Sequence, residues 1–546
     1  MANININDLF TETVILDERD EALIVKPGGS VVTADTASVI AERNRNRITV
    51  NRNGLLQSGQ TAAQVEGPNA VIKNSGTIDG LTGVDFASGS STGGQLINNV
   101  SGVVTSDNRA VNLGGKRITV KNNGLIQTVN NASDGVIRVD GSADNFVIEN
   151  RGKGVIEASE GASGTGILLD IGDSDGDIIK GRLINNGRIE GRNDDVANSQ
   201  QGDGIRLSSG IEPDEIIVGL GLRANLENRR QGEIIAADDG IEIDGKITLR
   251  GNINNRGEIV AENDGIIIDG QVTGNLNTTR TITAGDEGIE IDNDGRIGKI
   301  NIRGQISTVG GDVIEIDGIT ADINNRGILS SVEEEGIDID NAGIVDGNIN
   351  NFGEIQAPAD TGIEISGTVT GAINNNGLIA GLDTSINAEE ANASITVNNR
   401  GTLSGDVLLS NFDDVFNSSR GVVEGDVFGF DGDDLLAGGR GADSLAGGNG
   451  DDTLTGGRGE DTFIFDTSEF GADIITDFQD GIDQIQINGG SLGVADTQSI
   501  VASAQQIGND TLITFGANNT ALLQNFQAAQ LDTGDFSRLS AAVSFA

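Results

Sequence analysis

Asp434, Asp443, Asp452 and Asp461 recur at nine-residue intervals, each closing a run of glycines. The four units read GFDGDDLLA, GGRGADSLA, GGNGDDTLT and GGRGEDTFI over residues 429–464. A carboxylate oxygen is the ligand that a hard divalent cation such as Ca²⁺ prefers. Glycine lets backbone carbonyls approach an ion with no Cβ in the way. The candidate metal site therefore also takes in Gly432, Gly438, Gly439, Gly441, Gly447, Gly448, Gly450, Gly456, Gly457 and Gly459. The first unit departs at its second place, where Phe430 stands for glycine. After each aspartate comes a short strand whose central residue points inward: Leu436, Leu445, Leu454 and Phe463. Two units make one turn, so Asp434 stacks with Asp452 and Asp443 with Asp461. Clustered acids with few apolar groups do not fold alone, so metal-binding energy becomes folding energy here.

These units follow Gly-Gly-x-Gly-x-Asp-x-U-x, with U apolar, and resemble the repeats-in-toxin (RTX) family. The resemblance implies a parallel β-roll in which the four aspartates are the side-chain ligands of sandwiched Ca²⁺ ions, helped by glycine-loop carbonyls. Downstream, Asp473, Ile475, Asp477, Phe478, Gly481, Asp483 and Ile485 match the phrase D-x-I-x-D-F-x-x-G-x-D-x-I. That stretch is similar to the domain following RTX repeats in serralysin-type metalloproteases. Residues 510–515 and 521–526 look like the hairpin that closes it. The resemblance covers roughly residues 429–546 and implies an uncleaved C-terminal signal for the type I ABC secretion machinery of a Gram-negative bacterium. It stops before the protease: the zinc helix of such enzymes needs His-Glu-x-x-His, and the chain has no histidine.

Composition narrows the remaining chemistry. Among 546 residues, 83 acids face 35 bases, a formal charge of −48. Such a balance favours cations as partners and speaks against nucleic acid. Absent Cys and His exclude thiol chemistry, Ser-His-Asp triads and His-bound zinc. No stretch has the run of apolar residues that a membrane span needs. Residues 1–10 show neither the basic nor the apolar region of a cleavable leader.

The elements that must carry these residues are repetitive. Asn-Asn-x-Gly recurs at Asn254, Asn324, Asn350, Asn374 and Asn398. Between these phrases lie Ile-x-Ile strands: residues 240–245, 265–270, 288–293, 313–318, 336–341 and 362–367. Alternation puts isoleucine inward and the middle residue outward, while Gly and Asn suit the corners. A single coil cannot bury its own Ile face, but stacked coils share a core. The expectation is an all-β chain. Residues 1–40 form a cap or interaction segment and 41–425 a parallel β-solenoid (β-helix), right-handed by the general crossover preference. A Ca-binding parallel β-roll follows at 426–466 and a small C-terminal β domain at 467–546. Residues 3–7 also suit pairing with another chain. Asparagines of the Asn254, Asn324 and Asn350 type would stack as an amide ladder at one corner. Two outward acid columns are expected: Glu242, Glu290, Glu315, Asp338 and Glu364, then Asp244, Asp269, Asp292, Asp317 and Asp340. At ~4.8 Å per coil, like neighbours repel by about 1 kcal/mol. They form either a solvated acidic face or a weak site for divalent cations.

The functional expectation is a secreted structural protein of the bacterial surface or extracellular matrix: an S-layer component, a filament subunit or an adhesin. It self-associates through Ca²⁺-dependent contacts, with cell-surface polysaccharide as a further partner, and inserts into no membrane. The alternative is an RTX-bearing polysaccharide lyase or epimerase. Against it, the acids repeat in every coil, and no Tyr or His is present to act as a base.

Overall fold

The computed structural model describes residues 3–538 except 89–90, 131–134, 141, 159–163, 171–177, 193–202, 209–220, 246, 466, 468, 488–496 and 517. The last eight residues, where the export signal is expected to end, lie outside the described residues. The chain divides into two compact units, residues 1–300 with 304–306, and residues 301–303 with 307–546. Both are parallel β-solenoid.

In the first unit a typical coil consists of Ile241–Ile243, Thr248–Leu249, Ile253–Asn255 and Glu258–Ala261. Each strand pairs in parallel with its counterpart one coil on: Ile241 with Ile266, Thr248 with Gln271, Ile253 with Leu276, Ile259 with Ile282. Alternation makes the core, since Ile243, Ile253, Ile259, Ile266 and Ile268 are fully buried. The corner before most of the Ile-x-Ile strands is tight and holds glycine, with Val313 standing there before Ile314–Ile316. A Cβ on Gly265 would lie 2.3 Å from Ile282 and 2.5 Å from the Gly288 carbonyl. The coils begin ahead of residue 41. Asn3–Ile6 pairs in parallel with Ala22–Val25, and Val14–Leu16 with Val39–Ala41. The segment expected as a cap thus already has coil geometry, because Asn3–Ile6 carries the same alternation as the later strands.

In the second unit, Ile337–Ile339, Ile349–Asn351 and Glu354–Ala357 pair with Ile363–Ile365, Ile373–Asn375 and Leu378–Asn387. Toward the C-terminus the coil reduces to two sheets. One stacks Val415–Asn417, Leu435–Ala437, Thr453–Thr455 and Ala472–Ile475. The other stacks Asp426–Phe428, Ser444–Ala446, Thr462–Phe465 and Gln484–Ile487. Strand pairing therefore runs unbroken across 425/426 and 466/467. Beyond it, Gln505–Ile507, Asp510–Thr514 and Thr520–Leu523 pair antiparallel. Phe465, Phe470 and Phe515 pack within 5.4 Å of one another, and Phe478 meets Phe526. The aromatic residues scarce elsewhere thus close this end. Among the described residues no helix is long and apolar enough to cross a membrane.

Two asparagine ladders line the coils. The expected one uses the first Asn of each pair: Asn350 donates to Asn324 and Asn374 to Asn350, both at 3.0 Å. The second Asn of the Asn-Asn-x-Gly phrases joins a deeper ladder that the sequence reading passes over, which earlier coils build from single asparagines and from the first Asn of other pairs. In the first unit it runs from Asn74 through Asn98, Asn122, Asn150, Asn185 and Asn228 to Asn255, at 2.9–3.0 Å. In the second it links Asn325, Asn351, Asn375 and Asn399. Asn351 shows why such burial is tolerated. Its amide donates to Asn375 and to the Leu378 carbonyl, while its oxygen accepts from Asn325 and the Gly353 amide. Every polar atom of the side chain is used.

Candidate metal centre

The nine-residue units alternate between the two sheets of the roll. Leu436, Leu445, Leu454 and Phe463 fill its interior with no exposed surface. Each loop ends at an aspartate turned inward, and Asp434, Asp443, Asp452 and Asp461 are all at least 96% buried. The stacking is as expected, Asp434 with Asp452 and Asp443 with Asp461. The backbone amide of Asp434 donates to Asp452 Oδ1 at 2.9 Å, and that of Asp443 to Asp461 Oδ1 at 3.0 Å.

The stacks extend further than the nine-residue spacing reveals. The Asp414 amide donates to Asp434, and the Asp452 amide to Asp473 at 3.0 Å. On the other side the Asp461 amide donates to Asp483 at 3.1 Å. Asp414, Asp473 and Asp483 are thus members of the rows that the sequence reading leaves out. Their steps are 20, 21 and 22 residues instead of 18, so they fall out of phase. The only signal would have been an aspartate just before an apolar strand. Asp477 also belongs here, accepting from the Gly456 and Gly457 amides at 3.0 and 2.9 Å.

One oxygen of each main carboxylate is satisfied by a neighbouring amide. The other is not: Oδ2 of Asp434, Asp452 and Asp461 is buried with no hydrogen-bond partner. It is held close over the first glycine of its own loop. A Cβ on Gly429, Gly447 or Gly456 would stand 2.1, 2.0 or 2.4 Å from that oxygen. Gly447 and Gly456 are in the expected glycine set; Gly429 is a further member. Gly432, Gly448, Gly450, Gly457 and Gly459 hold positive φ angles that side chains resist. Phe430 does so as well, at 71°, with its ring 6.3 Å from Phe428. The loop 438–443 is looser. Asp443 Oδ2 takes the Gly439 amide, and nothing lies within 4 Å of a Cβ on Gly441.

Electrostatics follow from this burial. Desolvation, and then neighbouring aspartates, push the Asp434 carboxyl up to about 8, although the Asp414 amide opposes the shift. Burial likewise raises Asp452 to about 7, Asp461 to about 6 and Asp473 to about 9. Buried carboxylates are costly unless a cation compensates. Paired rows of inward carboxylate oxygens without partners, backed by glycine loops, fit a hard divalent ion.

The family model of the RTX calcium-binding nonapeptide repeat matches four copies over residues 428–463. This segment is an RTX calcium-binding block. No curated protein matches the chain.

Outside the RTX block, carboxylates gather at the corners before the Ile-x-Ile strands. Asp203 with Asp238 and Asp239, and Asp264 with Asp286 and Glu287, bring ligand atoms within 4.8 Å in the first unit. Asp312, Glu315 and Asp338 do so in the second. The expected acid column differs between units. In the first, Glu242 lies between Arg206 and Ile267, and Arg206 contacts Glu242 and Asp244 at 3.2 Å, which breaks the Glu242 column, whereas Asp244, Asp269 and Asp292 still repel one another. In the second, Glu315, Asp338 and Glu364 are direct neighbours. Burial and then the charge of Glu335 push Asp338 to about 7, and burial and then the charge of Asp338 push Glu364 to about 8.

Proposed function

We propose that this chain is a secreted structural protein of the bacterial surface or extracellular matrix, in which Ca²⁺ binding switches the RTX block from unfolded chain to rigid roll. The observation that carries this reading is the set of buried Oδ2 atoms on Asp434 and Asp452 in one stack and Asp461 in the other, which no protein group satisfies. Ordered loops of this kind require a cation, and calcium plentiful outside the cell would supply it. The resemblance of the C-terminal segment to secreted proteins supports type I export from a Gram-negative cell. Stacked coils with repeated charged edges suit self-association into a layer, a filament or an adhesive stalk. The acids recur coil after coil instead of forming one unusual set, which supports a non-enzymatic role.

The test is electron microscopy and hydrogen exchange on the purified chain with Ca²⁺ and with chelator. At neutral pH, amide protection over residues 429–464 should be strong with Ca²⁺ and weak with chelator, and sheets or fibres should form only with Ca²⁺. Isolated particles that cleave a polyuronate in Ca²⁺ would favour the lyase reading instead.

A further inference from the structure

We propose that the two loop edges of the RTX roll dock onto each other between copies of the chain, the arginine edge of one copy against the aspartate edge of the next. This rests on the surface-assembly reading above and names the contact that reading lacks.

The loops alternate. Loops 429–434 and 447–452 lead into the sheet of Leu435–Ala437 and Thr453–Thr455. Loops 438–443 and 456–461 lead into the sheet of Ser444–Ala446 and Thr462–Phe465. The two sets therefore lie at opposite edges of a two-sheet roll. One edge carries Arg440 and Arg458, and the preceding coils continue it with Arg420 and Arg400. Arg400 and Arg420 line one groove of about 190 Å³; Arg420, Arg440 and Arg458 line the next, of about 400 Å³, with Gly438, Gly439 and Gly457. All four arginines are exposed, and none belongs to an ion pair among the described residues. Glu460 is the one exposed acid of the two roll loops on this edge.

The opposite edge carries exposed Asp413, Asp433 and Asp451, one per coil, with exposed Asp431 beside them. Backbone amides fix this column. Asp433 donates to Asp413 at 2.9 Å, Asp451 to Asp433 at 2.8 Å and Ala472 to Asp451 at 2.8 Å. Each column therefore repeats at the coil rise of ~4.8 Å, where like charges repel by about 1 kcal/mol per neighbouring pair in water. Laid side by side, columns of opposite sign and identical rise relieve both repulsions together. In a chain of net charge −48, an unpaired arginine column is a local feature that can overcome general repulsion between copies. The contact joins different edges, so it is heterologous and propagates into an open array. It is also calcium-gated: Arg440, Arg458, Asp433 and Asp451 sit on the RTX loops, and both columns reach their spacing only when those loops are ordered.

The experiment uses the full chain in Ca²⁺, with light scattering and electron microscopy for assembly and calorimetry for ion binding. Arg400→Glu/Arg420→Glu lies outside the nonapeptides and should leave the calcium heat unchanged. It should raise the Ca²⁺ or protein concentration needed for assembly by about tenfold or more, the effect of roughly 1.4 kcal/mol. The neutral pair Arg400→Gln/Arg420→Gln should fall between it and the parent. Asp413→Arg/Asp431→Arg should also fail alone, yet an equimolar mixture of the two charge-reversed chains should assemble. Assembly of either reversed variant at the parent's concentrations overturns the edge-to-edge contact while the surface reading stands. A mixture that does not assemble overturns it too, as does loss of polyuronate binding by the arginine variants with assembly unchanged. A parent chain that stays monomeric in saturating Ca²⁺ removes the surface-assembly reading itself.

Discussion

Asp452 sits in the middle of its row, accepting from the Asp434 amide and donating its own amide to Asp473. Asp452→Asn removes a charge from the ion and half the acceptor capacity facing Asp434. The expected loss is ~1–3 kcal/mol, about five- to 150-fold in Ca²⁺ affinity, read by calorimetry. Two glycines make a sharper comparison. Gly447→Ala puts a methyl 2.0 Å from Asp452 Oδ2 and should cost as much affinity as the aspartate change. Gly441→Ala meets open space at a φ that side chains accept, and should leave affinity within about twofold, inside the ordinary ±0.5 kcal/mol of a surface change. Acidity gives a third expectation. Asp434, Asp452 and Asp473 have folded values raised to about 8, 7 and 9 above the usual 3.8. A raised carboxyl stabilises the metal-free fold below its unfolded value and loses that contribution as pH climbs through the folded one. In chelator, hydrogen-exchange protection of the roll should therefore be greater near pH 4 than near pH 9. With Ca²⁺, which needs the ionised form, the order should reverse.

At the scale of the element, the coil is legible in the sequence because its signals are periodic. Ile-x-Ile fixes strand and facing together, and Asn-Asn-x-Gly marks the corner. Less is legible where periodicity changes meaning. The second Asn of each pair looks the same as the first on paper, yet Asn351 is fully buried and Asn350 only partly. The difference is alternation: residues adjacent along a strand face opposite ways. Asn351→Ala should destabilise the second unit by ~2–4 kcal/mol, leaving Asn325 and Gly353 unmet inside the core. Asn350→Ala, whose partners lie partly in solvent, should cost about 1 kcal/mol or less. Thermal melting of the two variants separates them. The partner of Glu242 in the first unit is hidden for a similar reason. Arg206 comes 36 residues before Glu242, across an insertion that conceals their pairing.

For the whole molecule, the legible part of the metal centre is what repeats in phase. Asp434, Asp443, Asp452 and Asp461 declare themselves by nine-residue spacing, while Asp414, Asp473 and Asp483 hide behind longer steps. Those hidden members change how the roll must be viewed. A fragment ending at residue 470 keeps all four nonapeptides but loses Asp473 and Asp483. It should show little protection over 447–461 in Ca²⁺, whereas the full chain shows it throughout. The amide bonds explain why: 434 leans on 452, 452 on 473, 443 on 461 and 461 on 483. Each loop borrows its shape from the one that follows it, and the borrowing stops at strands clamped by the phenylalanine cluster. The roll is thus a zipper with its slider at the C-terminal end, closing against the direction in which the chain is read.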